Sequence, residues 1–301
     1  MLTRDNLLRE RDKFTLRLKD DLNLETRGRT HRERADSNIN LYLTEYVLTK
    51  TKSSYYEDAV KDYKESITLL RKANANKHEA EAILAYGNAI KEHFLPLDKK
   101  ARKDFTDSDM RAKVEYKKCI DLTKEISYLR CNFFATLEQM NLEVRNRVWN
   151  TNTRPKRIVI FHSLGSPESH QFLNGVYYYA HRNLIEIWDY NYGRVPDSDE
   201  PEHFIGDRLL DASGVVFLCS TNYDRDRSKV VKFEIMQTES LISDKNDPIK
   251  VFALDIGNSG LVKELKEFSI IAKRKDFETK IMYFIKELKD IYRCRKVRCN
   301  K

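Results

Sequence analysis

The sequence predicts two parts: an all-α bundle of long helices over residues 1–150, then an α/β domain built on a parallel five-stranded sheet over residues 151–301. Three observations predict this division. Residues 1–150 hold two of the nine Gly and one of the six Pro, so turn signals are rare there and frequent afterwards. Apolar residues in the first part recur every three or four positions, the period of a helix with one buried face. In the second part short apolar runs alternate with amphipathic segments, the pattern of strands and helices in a parallel sheet covered on both faces. The seam is the polar stretch Asn150-Thr-Asn-Thr-Arg-Pro155.

In the helical part, Leu122, Ile126, Leu129, Phe133, Leu137, Met140, Val144 and Val148 form one stripe. It predicts a single helix over Ala112–Val148, about 60 Å long at 1.5 Å per residue, with N-cap candidates in Thr106-Asp-Ser-Asp109. A second stripe runs through Tyr56, Val60, Tyr63, Ile67 and Leu70 and extends back to Tyr46 and Tyr42. A third runs from Ala80 through Ile83, Leu84, Gly87 and Ile90 to Phe94 and meets a kink or stop at Pro96. Asn74-Ala-Asn-Lys77 links the second stripe to the third, and residues 3–24 read as a further amphipathic helix. Such helices must bury their stripes on each other or on another chain. An antiparallel three- or four-helix bundle and an elongated self-associating coiled-coil module both satisfy that requirement.

In the α/β part the expected strands are Lys156–Phe161, Leu184–Trp188, Gly214–Cys219, Pro248–Leu254 and Phe268–Ile271. Helices are expected over Pro167–Arg182, Glu202–Asp211, Arg227–Ser243 and Asp276–Tyr292, which together make a flavodoxin-like alternation. Several chemistries are disfavoured. Leu164-Gly-Ser-Pro-Glu168 has neither the spacing of a dinucleotide fingerprint nor that of a P-loop. No nucleophile elbow GxSxG occurs. His162, His170, His181 and His203 are not at metal-ligand spacing, so no metal site is expected and each reads as a surface or packing histidine.

The order of motifs resembles the TIR/SEFIR superfamily over about residues 156–290. Ile158-Val-Ile-Phe-His-Ser163 stands where such domains open, and Ile185-Glu-Ile-Trp-Asp189 with Tyr192-Gly-Arg-Val-Pro196 resembles the second strand and its BB loop. Phe204 to Tyr223 is similar to the helix and third strand of that family, and Val230-Val-Lys-Phe-Glu-Ile235 is similar to the helix that follows. The resemblance implies contacts with other TIR/SEFIR-type domains through Asp189, Tyr192, Gly193, Arg194, Pro196 and Asp197, with Ser163 and Ser166 close to any ligand. It also implies an enzymatic alternative, an NAD+ glycohydrolase with Glu234 as the catalytic carboxylate. NAD+ would then be the substrate, with no resident cofactor. Because nicotinamide leaves as a neutral base, one carboxylate beside the ribose could suffice, by analogy with glycosidases. The competing reading makes Glu234 an ordinary solvated helix residue. The whole then reads as a cytoplasmic signalling scaffold of the innate-immunity type, whose helical half self-assembles and raises the effective concentration of weak domain contacts.

Charge adds limited information. The net charge is +8, with Lys+Arg against Asp+Glu at 30 to 25 in residues 1–150 and 25 to 22 in the rest, so the excess is spread along the chain. Two local runs, Arg27–Arg34 and Arg293–Arg298, could meet an anionic surface. A short BAR-like reading would place Lys77, Lys91, Lys99, Lys100, Arg102 and Lys103 against lipid head groups. The basic runs lack interleaved aromatics, so no specific nucleic-acid partner is expected. The acidic stretch 189–202 could face Arg225, Arg227 and Lys229 of another copy. Cysteines number five, and on one continuous helix Cys119 and Cys131 would stand about 18 Å apart, too far to bridge. Without a secretory signal or an apolar run near 18 residues, the expected setting is soluble and reducing.

Overall fold

In a computed structural model, residues 4–49, 53–91, 102–150, 156–162, 167–189, 209, 212–219, 229–242, 249–255, 269–271 and 277–289 are described. The chain packs as two units, Met1–Leu142 and Glu143–Lys301. Six helices precede the first strand among these residues: α1 (Arg4–Arg17), α2 (Leu24–Thr49), α3 (Ser54–Lys72), α4 (Asn76–Ile90), α5 (Arg102–Glu125) and α6 (Leu129–Asn150). In α1–α5, helices adjacent in the sequence pack on one another at α1–α2, α2–α3, α3–α4 and α4–α5.

Two of the long stripes are divided. The stripe from Tyr42 to Leu70 belongs to two helices, α2 and α3, separated by polar residues around Ser53. The single helix expected over Ala112–Val148 is broken after Glu125, and Ser127 takes a φ of 53°, a left-handed conformation that ends an α-helix. The break escaped the periodicity because the spacing of apolar residues continues unchanged across it. It corrects the cysteine geometry: the start of α6 lies alongside the last turns of α5, Asn132 Nδ2 donates to the Ile120 carbonyl at 3.2 Å, and the thiols of Cys119 and Cys131 face one another. That neighbour first, and burial second, push the Cys119 thiol well up.

The helical unit buries an uncommon amount of polarity along α2. Thr30, Arg32, Asp36, Ser37, Asn38 and Asn40 are all buried there. Tyr63 donates to Asp36 Oδ1 at 2.5 Å, Arg32 Nη1 to Glu81 Oε2 at 2.7 Å, and Arg34 grips Asp62 through Nε at 2.8 Å and Nη2 at 2.6 Å. The basic run Arg27–Arg34 therefore sends two of its arginines inward to carboxylates. Lys91, expected among the lipid-facing cations, is buried against Glu138.

This polarity makes the unit acid-sensitive. Burial alone would raise the pKa of Asp62, but hydrogen bonds from His31 and Arg34 outweigh it and hold the carboxyl below its ordinary value of 3.8. Glu81 is likewise held down, because Tyr128, Arg32 and His78 outweigh its burial. A depressed carboxyl contributes stability that is present above its ordinary pKa and is lost as pH falls through the folded value. The helical circular dichroism of the full chain is therefore expected to weaken on acidification below about pH 4. Asp62→Asn, which does not titrate there, should show a shallower loss over the same range.

The second unit holds a parallel sheet. Its body is β1 (Lys156–His162), β2 (Ile185–Asp189), β3 (Gly214–Cys219) and β4 (Lys250–Asp255), in the order β2-β1-β3-β4. The three-residue run Ser269–Ile271 (β5) pairs outside β4. The connecting helices are α7 (Pro167–Arg182), α8 (Lys229–Ile242) and α9 (Phe277–Lys289). β1 and β3 are buried almost throughout, as central parallel strands must be. Of the helix expected over Glu202–Asp211, only Leu209 lies within the described residues.

Strand alternation separates two faces. Val159, Phe161, Trp188, Val215, Phe217, Cys219 and Ala253 share one, packed with Ile235 of α8. The other carries Phe252, stacked on Phe284 of α9 with ring centroids 5.1 Å apart, while Phe277 of α9 meets Phe172 of α7.

The expected seam near residue 150 lies beyond the last two turns of α6, which pack with the second unit. Arg145 is fully buried and grips Glu186 Oε1 of β2 through Nε at 3.1 Å and Nη2 at 2.6 Å. Arg157 of β1 holds the other carboxylate oxygen at 3.1 Å. Parallel register sets Arg157 directly opposite Glu186. Among the described residues no helix is long and apolar enough to cross a membrane.

Candidate functional site

In a parallel sheet flanked by helices, ligands bind outside the carboxyl ends of the strands, where neighbouring connections leave in opposite directions. Here that point lies between β1 and β3: the chain leaving β1 returns as β2 on one side, while β3 and β4 continue on the other. The strands end on His162 (β1), Asp189 (β2) and Cys219 (β3).

His162 and Asp189 meet. The register pairs Asp189 with Ile160, so His162 lies two residues further along β1 on the same face, within diagonal reach. Its Nε2 stands 2.9 Å from Asp189 Oδ2, and facing a carboxylate it carries the proton. Tyr177 of α7 donates its hydroxyl to the same oxygen at 2.5 Å. All three are buried, Asp189 to 1% exposure. The carboxylate is thus fixed by two donors, the imidazole and the phenol, at the rim of the sheet.

Glu234 is the sixth residue of α8, and next to it Ile235 enters the apolar cluster that contains Cys219. The side chain is 2% exposed, so the reading of Glu234 as an ordinary solvated residue does not hold. Thr238 donates its hydroxyl to the Glu234 carbonyl at 2.8 Å, tying down the backbone that carries the carboxylate. Cys219, at 1% exposure, is a packed thiol.

Of the residues expected in a site, Asp189 and Glu234 are described. Asp189 lies on the face covered by α7, and Glu234 lies on the helix packed against the opposite face, so the sheet separates them. Ser163, Ser166, Tyr192, Gly193, Arg194, Pro196 and Asp197 lie outside the described residues. Among the described residues no group of three or more His, Cys, Asp or Glu is placed to hold a metal ion.

Two participants were missed from the sequence. Tyr177 is one of three consecutive tyrosines, and only the rotation of α7 selects it. His162 reads as a packing histidine until register brings Asp189 beside it; a charged or polar pair closing two adjacent apolar strands was the available signal. No family model, curated protein or solved structure matches the chain at a significant level.

Proposed function

We propose that the chain is a signalling scaffold that self-associates through its helical half, while a TIR/SEFIR-type α/β half makes homotypic contacts. The observation that carries this reading is a row of large apolar side chains left in solvent on one face of α6: Leu129 at 79% exposure, Phe133 at 39% and Met140 at 40%. Their spacing of four and seven residues puts them on one helical stripe. A second copy of the same face is the natural cover for it, since exposed contiguous apolar surface marks an association site. The order β2-β1-β3-β4-β5 supports the α/β half of the reading, because it is the order of flavodoxin-like double winding.

The expected result is that the full chain self-associates in sedimentation equilibrium, and that Leu129→Glu combined with Phe133→Glu leaves it monomeric. A wild-type chain that stays monomeric on the order of 100 µM would remove the scaffold reading.

A second reading, NAD+ glycohydrolysis, is favoured by the burial of Glu234, 2% exposed on the helix that follows β3. Buried carboxylates with restricted solvent access are a common feature of acid–base and glycosyl-transfer sites. Its test is release of nicotinamide from NAD+ by the assembled full chain. Loss of at least about a hundredfold in Glu234→Ala is expected if this carboxylate is catalytic. Equal release by the variant, or none by the wild type, excludes it.

A further inference from the structure

Two cysteines that helical spacing would keep apart stand together in the fold. Cys119 lies in α5 and Cys131 in the first turn of α6, with the left-handed turn at Ser127 between them. Asn132 Nδ2 donates to the Ile120 carbonyl at 3.2 Å and to Thr123 Oγ1 at 3.1 Å. The residues that follow the two cysteines are thus tied to one another. The thiols themselves are in hydrogen-bond contact, and both are free and buried, at 0% and 4% exposure. Cys119 Sγ donates to the Ala80 carbonyl of α4 at 3.4 Å, which fixes its side chain and leaves its sulfur to accept from Cys131.

The closed structure protects the pair. The neighbouring thiol and burial keep Cys119 protonated, and a protonated thiol is not a nucleophile. Cys131 is placed differently. It is the third residue of α6, in the turn whose backbone N–H groups have no acceptor within the helix. The first bond closing that turn runs from the Asn132 N–H to the Tyr128 carbonyl at 3.2 Å. Leu129, which opens the turn, is 79% exposed, so its side chain adds little packing to hold the turn down. A helix end of this kind opens at far lower cost than the whole unit. A sulfur at a helix N-terminus is also favoured as thiolate once water reaches it.

We propose that Cys119 and Cys131 are a reversible dithiol–disulfide pair that clasps α5 to α6 when oxidised by a small disulfide of the glutathione class. The Cys131 thiolate, exposed as the first turn of α6 opens, attacks one sulfur of the small disulfide. A mixed disulfide forms and the first small thiolate leaves. As the turn recloses, the Cys119 sulfur attacks Cys131 Sγ and expels the second. The protein loses two protons and two electrons, and the small disulfide is reduced to two thiols that carry those protons. The new bond replaces the hydrogen bond between the thiols. It closes a loop of about 13 residues around the turn at Ser127, and so restricts the unfolded chain more than the folded one.

The test is equilibration of the full chain over a series of oxidised-to-reduced glutathione ratios. Acid quenching, alkylation of free thiols and peptide mass spectrometry then read the state of each cysteine. A linked Cys119–Cys131 peptide, two hydrogens lighter than the two reduced peptides, should dominate at the oxidising end and vanish on return to the reducing end. By far-UV circular dichroism the oxidised chain should melt about 5–10 °C higher than the reduced one. Cys131→Ser should show no such rise. The linked peptide is read in the wild-type chain, so it does not depend on that variant folding. Both cysteines remaining free under fully oxidised glutathione overturns the proposal. So does a Cys131 that stops at the mixed disulfide or pairs instead with Cys219, Cys294 or Cys299. A link that lowers the melting temperature overturns it too, since the two sulfurs would then not meet at bridging geometry in the folded chain.

Discussion

Replacing Glu186 by alanine will cost the second unit about 3–5 kcal/mol, the scale found when one partner of a buried ion pair is removed. The side chain is 2% exposed and is the anion between two guanidiniums, Arg145 and Arg157, themselves 0% and 2% exposed. Without it, two positive charges remain buried at hydrogen-bond distance from an empty position. Both guanidiniums are buried, so water reaches them only if this part of the unit opens. Denaturant unfolding followed by tryptophan fluorescence measures this directly, because both tryptophans, Trp149 and Trp188, belong to this unit. Glu186→Gln should lose nearly as much despite keeping the shape, since the loss is one of charge. Replacing all three residues by apolar ones of similar volume should recover most of the stability. A Glu186→Ala midpoint equal to wild type would mean that the three charges are solvated and the clamp is absent.

Glu138→Ala is expected to be the corresponding lesion in the helical unit, again about 3–5 kcal/mol. Glu138 of α6 is 3% exposed and receives Lys91 Nζ at 2.5 Å, with Lys91 itself 6% exposed. Lys91 follows the last residue of α4, and its backbone N–H closes that helix onto the Gly87 carbonyl at 3.0 Å, so an ammonium forced outward would pull on the helix end. The double substitution Lys91→Met with Glu138→Leu should regain much of what the single change loses. Coupling of this kind is what a double-mutant cycle isolates. Far-UV circular dichroism under denaturant reads it, and additive single effects would show that the pair contributes nothing jointly.

These two charge clusters were hidden for one reason. Glu138 and Arg145 look like the polar positions of a helix, and Arg157 and Glu186 like charges at the start of apolar strands. Burial of a charge depends on what lies opposite, which is information carried by another segment of the chain. The same holds at the strand ends. His162 and Asp189 are recognisable as polar residues closing two apolar runs, but their 2.9 Å contact follows from the parallel register of β1 and β2 and from the turn of α7 that brings Tyr177 above them. Glu234 was legible as a candidate from its position in a motif, whereas its burial was not.

What the sequence by itself determined is local. Helical periodicity and sparse Gly and Pro specified a helical first part. Apolar runs specified β1 to β4 to within about two residues, and Pro167 and Arg182 bounded α7. The local code also misled where its signal was continuous. An unbroken apolar spacing ran across the turn at Ser127, so one long helix was expected where α5 and α6 meet at a left-handed residue. Composition placed the seam at the Pro-containing stretch near residue 150, yet Arg145 draws the end of α6 into the second unit. Only the tertiary structure decided which polar residues lie inside, which apolar ones on α6 stay outside, and where the two units divide. Those outcomes depend on pairings between distant segments, whose free energy is set by desolvation and charge neutralisation and not by the spacing of residues along the chain.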